Sequence, residues 1–266
     1  MKKTVGFLGA GNMGGALAQA AIQAVGAEEV LVACSTPEHT LQAAQRLGCA
    51  GAGPEEILRA CRFVFLGFKP QGLEAAARQL QPELQESDPI LVSMLAGVGL
   101  QRLEALFPGK RILRIMPNTP CRVGQGLILL CAGSRCTKEE LLEFRTLMAF
   151  AGKTDELPEK LIDAASALSG CGPAYAFLIL QALADGAVRC GLPREKAARY
   201  AAQTLLGSAQ LALADGEHPE KLKDDVCSPG GSTIEGVYAL ERGGVRAACM
   251  EAVCAAYEKT KQLGKA

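Results

Sequence analysis

Over the first part of the chain, short apolar runs alternate with stretches of helical periodicity. Largely apolar runs at 5–8, Val30–Ala33, 63–66, 90–93 and 112–115 read as strands buried on both faces of a parallel sheet. Between them, 41–47, 72–80 and 100–106 carry the spacing of helices with one buried face. Runs at 127–131 and 153–156 add strands at the far edge, on either side of a helix over 138–150. Such alternation predicts an α/β, doubly wound sheet with helices on both faces.

After about Leu161 the pattern changes. Strand signals fade and Ala, Leu, Glu and Lys dominate, predicting helices over 174–188, 194–214 and 245–263, broken by Gly191-Leu192-Pro193 and by Ser228-Pro229-Gly230-Gly231. Several of these helices are apolar over wide arcs, as in Ala174-Tyr175-Ala176-Phe177-Leu178-Ile179-Leu180. A small helical domain cannot cover such faces alone, so burial against a second subunit is expected. The chain therefore divides into an α/β domain, 1–161, and an all-α domain, 162–266.

Chemistry enters at the first strand. Thr4-Val-Gly-Phe-Leu8 leads into Gly9, Gly11 and Gly14, the G-x-G-x-x-G spacing, and a helix follows from Ala16. In that strand–turn–helix context each glycine has a physical role. Gly9 serves the tight turn, Gly11 the close approach of a pyrophosphate, and Gly14 helix–strand packing. The anion sits on the N–H groups of the helix start. Leu8, Gly9, Ala10, Gly11, Asn12, Met13 and Gly14 are thus the expected phosphate-binding segment of a Rossmann-like domain. At the end of the second strand, where an NAD site usually has Asp or Glu, this chain has Cys34-Ser35-Thr36-Pro37. The hydroxyls of Ser35 and Thr36 can donate to a 2′-phosphate, with no carboxylate placed to repel it, which favours NADP and leaves dual use open. Two further strand-end loops, Phe68-Lys69-Pro70-Gln71 and Leu95-Ala96-Gly97-Val98, face the nicotinamide half by position or are simple loop punctuation.

Composition removes other classes. The 266 residues are 49% hydrophobic and 21% charged, enough for one or two domains with a real core. Lys plus Arg equals Asp plus Glu at 28 each, there is no Trp and aromatics are 5%, so neither a basic stripe nor a stacking platform for nucleic acid is expected. Met1-Lys2-Lys3 runs straight into the first strand, without the apolar region of a signal peptide. No apolar stretch approaches the roughly 20 residues of a membrane span, and a cytoplasmic location is expected. The 11 cysteines are odd in number and form no C-x-x-C pair, and the only histidines are His39 and His218. That is neither a zinc pattern nor a disulfide framework, so no metal is expected and most cysteines read as small buried apolar residues.

The other unusual segment is Leu222-Lys-Asp-Asp-Val-Cys-Ser-Pro-Gly-Gly-Ser-Thr-Ile-Glu-Gly236. Ser232, with Glu235 three residues on, has the form of a capping box, and the helix start it marks suits a carboxylate. The same residues also serve as a plain helix cap.

Taken together these segments resemble the pyrroline-5-carboxylate reductase family. The likeness runs in order through Gly9-Ala-Gly-Asn-Met-Gly14, Lys69-Pro70-Gln71, Ser93-Met-Leu-Ala-Gly97, Arg114-Ile-Met-Pro-Asn-Thr-Pro120, Leu168-Ser-Gly-Cys-Gly-Pro-Ala-Tyr175, Ala202-Gln-Thr-Leu-Leu-Gly207 and Asp225-Val-Cys-Ser-Pro-Gly-Gly-Ser-Thr233. The resemblance implies reduction of 1-pyrroline-5-carboxylate to L-proline, the last step of proline biosynthesis; the Ser35 and Thr36 hydroxyls make NADPH the preferred cofactor, with NADH accepted. It also implies a homodimer through the helical domain, assembling further into a decamer of five dimers. Thr233 is implied to hydrogen-bond the substrate nitrogen as the catalytic residue, with Ser228, Gly231 and Ser232 holding the carboxylate. Glu159 is implied near the substrate and Asp225 near the nicotinamide, while the position of their strand-end loops puts Phe68, Lys69, Pro70, Ala96 and Gly97 along the cofactor. The chain departs from the family pattern at Cys171, Ser232, Asp225 and in Gly51-Ala52-Gly53-Pro54, which lacks a common ribose-contacting Asn. A β-hydroxyacid dehydrogenase would need a lysine facing the nicotinamide, but Lys160, Lys196, Lys221 and Lys223 have no comparable glycine-rich surroundings.

Overall fold

A computed structural model describes residues 3–263. The chain forms two compact units, Met1–Cys171 with Ala256–Ala266, and Gly172–Ala255.

In the first unit the strands are β1 Lys3–Leu8, β2 Val30–Ala33, β3 Ala50–Gly51, β4 Cys61–Leu66, β5 Ile90–Ser93, β6 Arg111–Met116, β7 Gly126–Ala132 and β8 Gly152–Glu156. They make one sheet in the order β3-β2-β1-β4-β5-β6-β7-β8. The first six are parallel to one another, joined through α1 Asn12–Val25, α2 Pro37–Leu47, α3 Pro54–Ala60, α4 Leu73–Glu86 and α5 Leu100–Leu106. β7 then runs antiparallel to β6, because only a 3-10 segment, Thr119–Val123, connects them. A return to parallel needs a crossover helix. One follows as α6 Lys138–Leu147, and β8 accordingly pairs parallel to β7.

Both faces are covered, as the doubly wound expectation requires. Val5, Phe7, Phe63, Phe65, Val92 and Ile115 point to one face, where they pack with Leu17 of α1 and Phe144 of α6. Phe7 stacks on Phe65 with centroids 4.4 Å apart. Leu8, Val64, Leu66, Leu91 and Ile112 point to the other, against Ile57 of α3, Leu73 and Leu80 of α4, Leu103 of α5 and Ile162. Two elements go beyond the sequence reading. β3 is only two residues long and exposed, so it has no apolar run to reveal it. α3 carries Pro54 in its first turn with Glu55 and Glu56 beside it, a helix-start signal.

α7, Glu159–Ser169, buries Ile162 in the sheet core, so the expected division at 161/162 passes through this helix. The second unit holds α8 Gly172–Arg189, α9 Arg194–Asp215, α10 Pro219–Val226, α11 Ser232–Arg242 and most of α12 Val245–Leu263. Its own core is small: Ala184, Ala197 and Ala201, with Leu180, Ala187, Val188 and Leu192 packed around them. Phe177 is 64%, Leu178 74% and Leu213 86% exposed, so the apolar arcs read from the sequence are uncovered within the chain.

Two compositional expectations need correction. The run Glu159–Arg189 has the length and the mean hydropathy, 1.4, of a membrane-crossing helix, with only 11% of its apolar window buried. It escapes a sequence count because α7 and α8 follow each other with only Gly170 and Cys171 between. Of the eleven cysteines, Cys61, Cys121 and Cys131 alone are buried, while Cys190, Cys249 and Cys254 are exposed.

Candidate active site

The Gly9-to-Gly14 segment has the tight turn and close packing that its glycines foretell. The chain leaves β1 at Gly9 with φ of 109°, a left-handed turn, and a Cβ there would sit 2.5 Å from the Gly67 carbonyl oxygen at the end of β4. β1 and β4 are the neighbours at which the strand order reverses, the switch point where such sheets bind ligands. Gly14 packs against the Gly9 carbonyl so closely that a side chain would overlap it. Gly11 differs: it is the N-cap of α1, no side chain caps that helix, and a Cβ at Gly11 would meet nothing within 4 Å. The start of α1 is thus open and without a side-chain cap. Arg46 of α2, which the sequence did not single out, donates from Nη2 to the Ala10 carbonyl at 2.8 Å and fixes this loop from the side.

Beside the switch point lies a cleft of about 370 Å³ that brings Leu8, Gly9, Ser35, Phe68 and Lys69 together. Its far wall is α4, through Ala75, Ala76 and Gln79, and small residues in an exposed helix turn were the available signal for it. Ser35 and Pro54 also line a wider depression with Thr36, Gly51, Ala52 and Glu56. This corrects one expectation. With α3 in place, Glu56 does stand on the wall shared with Ser35 and Thr36. Thr36 is moreover the N-cap of α2, its Oγ1 accepting the His39 N–H at 3.2 Å, and the cap and neighbouring Glu38 engage this hydroxyl within the chain. Ser35 Oγ lies 3.4 Å from His39 Nδ1. The Glu38 carboxyl is held below its ordinary value, first by a backbone N–H and then by the Thr36 hydroxyl. Pro70 opens a 3-10 turn, Pro70–Gly72, after β4. Ala96, exposed, and Gly97, with φ of 74°, lie on the loop after β5 and line neither of these hollows.

Glu159 begins α7. Its Oε1 accepts the Leu100 N–H at 2.6 Å and Arg114 Nη1 at 2.9 Å, so this oxygen is committed within the sheet unit.

In the helical unit, Ser228 to Gly231 form a turn closed by the Gly231 N–H on the Ser228 carbonyl at 3.0 Å, with Gly230 at φ 66°. A Cβ on Gly231 would collide with the Ser228 hydroxyl. The capping-box expectation fails here. Gly231, not Ser232, is the N-cap of α11, and no side chain caps it. Ser232 and Thr233 therefore occupy the first helical turn, and its N–H groups stay available to an anion. Asp225 pairs with Lys221 on the exposed side of α10 at 2.5 Å.

Comparison with known proteins decides what this pair of features belongs to. The profile described as "Pyrroline-5-carboxylate reductase dimerisation" matches residues 159–263, and "NADP oxidoreductase coenzyme F420-dependent" matches residues 4–97. Pyrroline-5-carboxylate reductase 3 of Macaca fascicularis is 41% identical over 99% of this chain and 97% of its own length. The chain belongs to the pyrroline-5-carboxylate reductase family. Pyrroline-5-carboxylate reductase of Pisum sativum is 39% identical over 98% of this chain and 96% of its own. Among solved structures, the NADP-bound pyrroline carboxylate reductase of Plasmodium falciparum superposes with a TM-score of 0.88 at 31% identity, covering 99% and 100% of the two chains. The chain is accordingly an NAD(P)H-dependent oxidoreductase with a dimerisation domain of this family.

Proposed function

We propose that the chain reduces 1-pyrroline-5-carboxylate to L-proline as the last step of proline biosynthesis, with NADPH preferred and NADH accepted. The observation that carries the cofactor half is the open, uncapped start of α1 at Gly11 beside the switch-point cleft. When bound, the nicotinamide supplies a hydride from C4 to the imine carbon. The chain's contribution is placement, since a protonated imine needs little activation. Thr233 orients the ring nitrogen. The Ser228, Gly231 and Ser232 backbone holds the substrate carboxylate at the α11 start, where the helix dipole favours negative charge. Gly9 to Gly14 hold the pyrophosphate and Ser35 donates to the 2′-phosphate. Phe68, Lys69, Pro70, Ala96, Gly97 and Asp225 complete the cofactor contacts.

The exposed apolar arcs of α8 and α9 support a homodimer through the helical unit, with five dimers forming a decamer. The protein works in the cytoplasm, apart from membrane and nucleic acid.

The test is loss of NADPH absorbance with 1-pyrroline-5-carboxylate, run beside a panel of hydroxyacids with oxidised cofactor. Turnover on the imine alone is expected. Turnover on a hydroxyacid alone refutes the proposal, and cofactor binding with no turnover would make the protein a nucleotide-binding oligomer instead.

A further inference from the structure

Arg114 is a buried charge that the proposed reaction does not use. It stands on β6 in an otherwise apolar run and is only 4% exposed. Its Nη1 donates to Glu159 Oε1 and its Nη2 to Asp163 Oδ1, each at 2.9 Å. The two carboxylates are four residues apart on α7 and so share one helix face. Neighbouring Cys131 adds no charge, since burial pushes its thiol up to about 11. Glu159 Oε1 carries a second duty, accepting the Leu100 N–H at 2.6 Å. Leu100 is the first residue of α5, immediately after the loop that leaves β5. One oxygen thus ties β6, α7 and the end of that loop together. The loop's beginning is tied as well, through the Leu95 N–H on Ser93 Oγ at 3.4 Å, and Val98 N–H closes on the Leu95 carbonyl at 3.3 Å. Between these ties lie Ala96 and the left-handed Gly97.

We propose that Arg114 and Glu159 are positioning residues for the cofactor, fixing from behind the loop whose Ala96 and Gly97 meet the nicotinamide half. The inference rests on the reading of that loop given above. It gives Glu159 a role different from a substrate contact. An ion pair suits this role where an apolar pair would not. A hydrogen bond to one backbone N–H sets the direction of the peptide it holds, and the guanidinium in turn fixes the carboxylate.

Glu159→Ala removes the acceptor from Leu100, whereas Glu159→Gln keeps an oxygen there. NADPH and NADH dissociation constants, from cofactor fluorescence without substrate, are compared with the KM for the imine at saturating NADPH. Glu159→Ala is expected to weaken both cofactors alike by about tenfold, the scale of one hydrogen bond, with the imine KM unchanged. Glu159→Gln should recover most of the affinity, and Arg114→Lys, which keeps the charge but not the fork, should lie between. A tenfold rise in the imine KM with cofactor affinity intact would make Glu159 a substrate contact and overturn the proposal. So would a lowered melting temperature with both affinities intact. Ala96→Leu, at an exposed position, tests the underlying reading. If it leaves NADPH affinity unchanged, the loop does not meet the nicotinamide. If it weakens NADPH while Glu159→Ala does not, the loop reading stands and the positioning role alone fails.

Discussion

Replacing Gly11 by alanine should separate binding from stability. A Cβ at this position meets no protein atom within 4 Å, and φ of −69° suits any residue. The folded protein should therefore tolerate it, with stability changed by less than about 1 kcal/mol. The methyl group would instead stand in the space through which a pyrophosphate reaches the first-turn amides. Each amide–phosphate bond is charge-assisted and contributes about 1.5–3 kcal/mol. Losing one or weakening two removes about 2–4 kcal/mol, or roughly 30- to 1,000-fold in affinity. NADPH and NADH should suffer equally, since both carry the pyrophosphate. Gly14→Ala is the contrasting control: its Cβ would overlap the Gly9 carbonyl oxygen, an overpacking of about 1–3 kcal/mol. At about 2–4 °C per kcal/mol it should lower the melting temperature visibly, where Gly11→Ala does not. Fluorescence titration beside a thermal melt reads both quantities. A Gly11→Ala protein with wild-type affinity for both cofactors would refute the placement of the anion on α1.

Thr233→Ala should lower kcat by about 30- to 150-fold with NADPH affinity unchanged, corresponding to one oriented hydrogen bond of about 2–3 kcal/mol, and Thr233→Ser should restore much of it. Since Gly231 rather than a side chain caps α11, no loss of melting temperature should accompany it, and near-normal turnover would remove Thr233 from the reaction. Ser35→Ala should lower kcat/KM for NADPH about tenfold more than for NADH. Glu56→Gln should move the ratio the other way, and equal effects on both cofactors would place the 2′-phosphate elsewhere. Leu178→Asp with Phe177→Asp should leave monomers or aggregates in light scattering, since each large apolar side chain contributes about 1.5–3 kcal/mol when buried. A stable wild-type monomer at micromolar concentration would count against the dimer.

Legibility in the sequence followed burial. Phe63 to Leu66 and Ile90 to Ser93 read correctly because strands covered on both faces leave continuous apolar runs. β3 had no such run, and with it went the placement of α3 and Glu56 against Ser35. α7 looked like the helices after it, because an apolar face does not say whether it meets a sheet or a helix. At the site, the glycine spacing foretold local geometry well. The cap of α11 did not follow, because Ser232 and Gly231 are neighbours and one residue of register decides which is outside the helix. Arg114 gave only a faint signal, a charge inside Ile112-Leu113-Arg114-Ile115, and nothing local names carboxylates that lie 45 and 49 positions away.

The three-alanine core of the helical unit has a consequence for how this chain tolerates change. Where a fold is completed by a symmetric copy of itself, every substitution on the shared face occurs twice, once from each side of the two-fold axis. A slight mismatch is doubled, and so is a slight improvement. Selection on such a face therefore acts on self-complementarity, a property that no single copy displays.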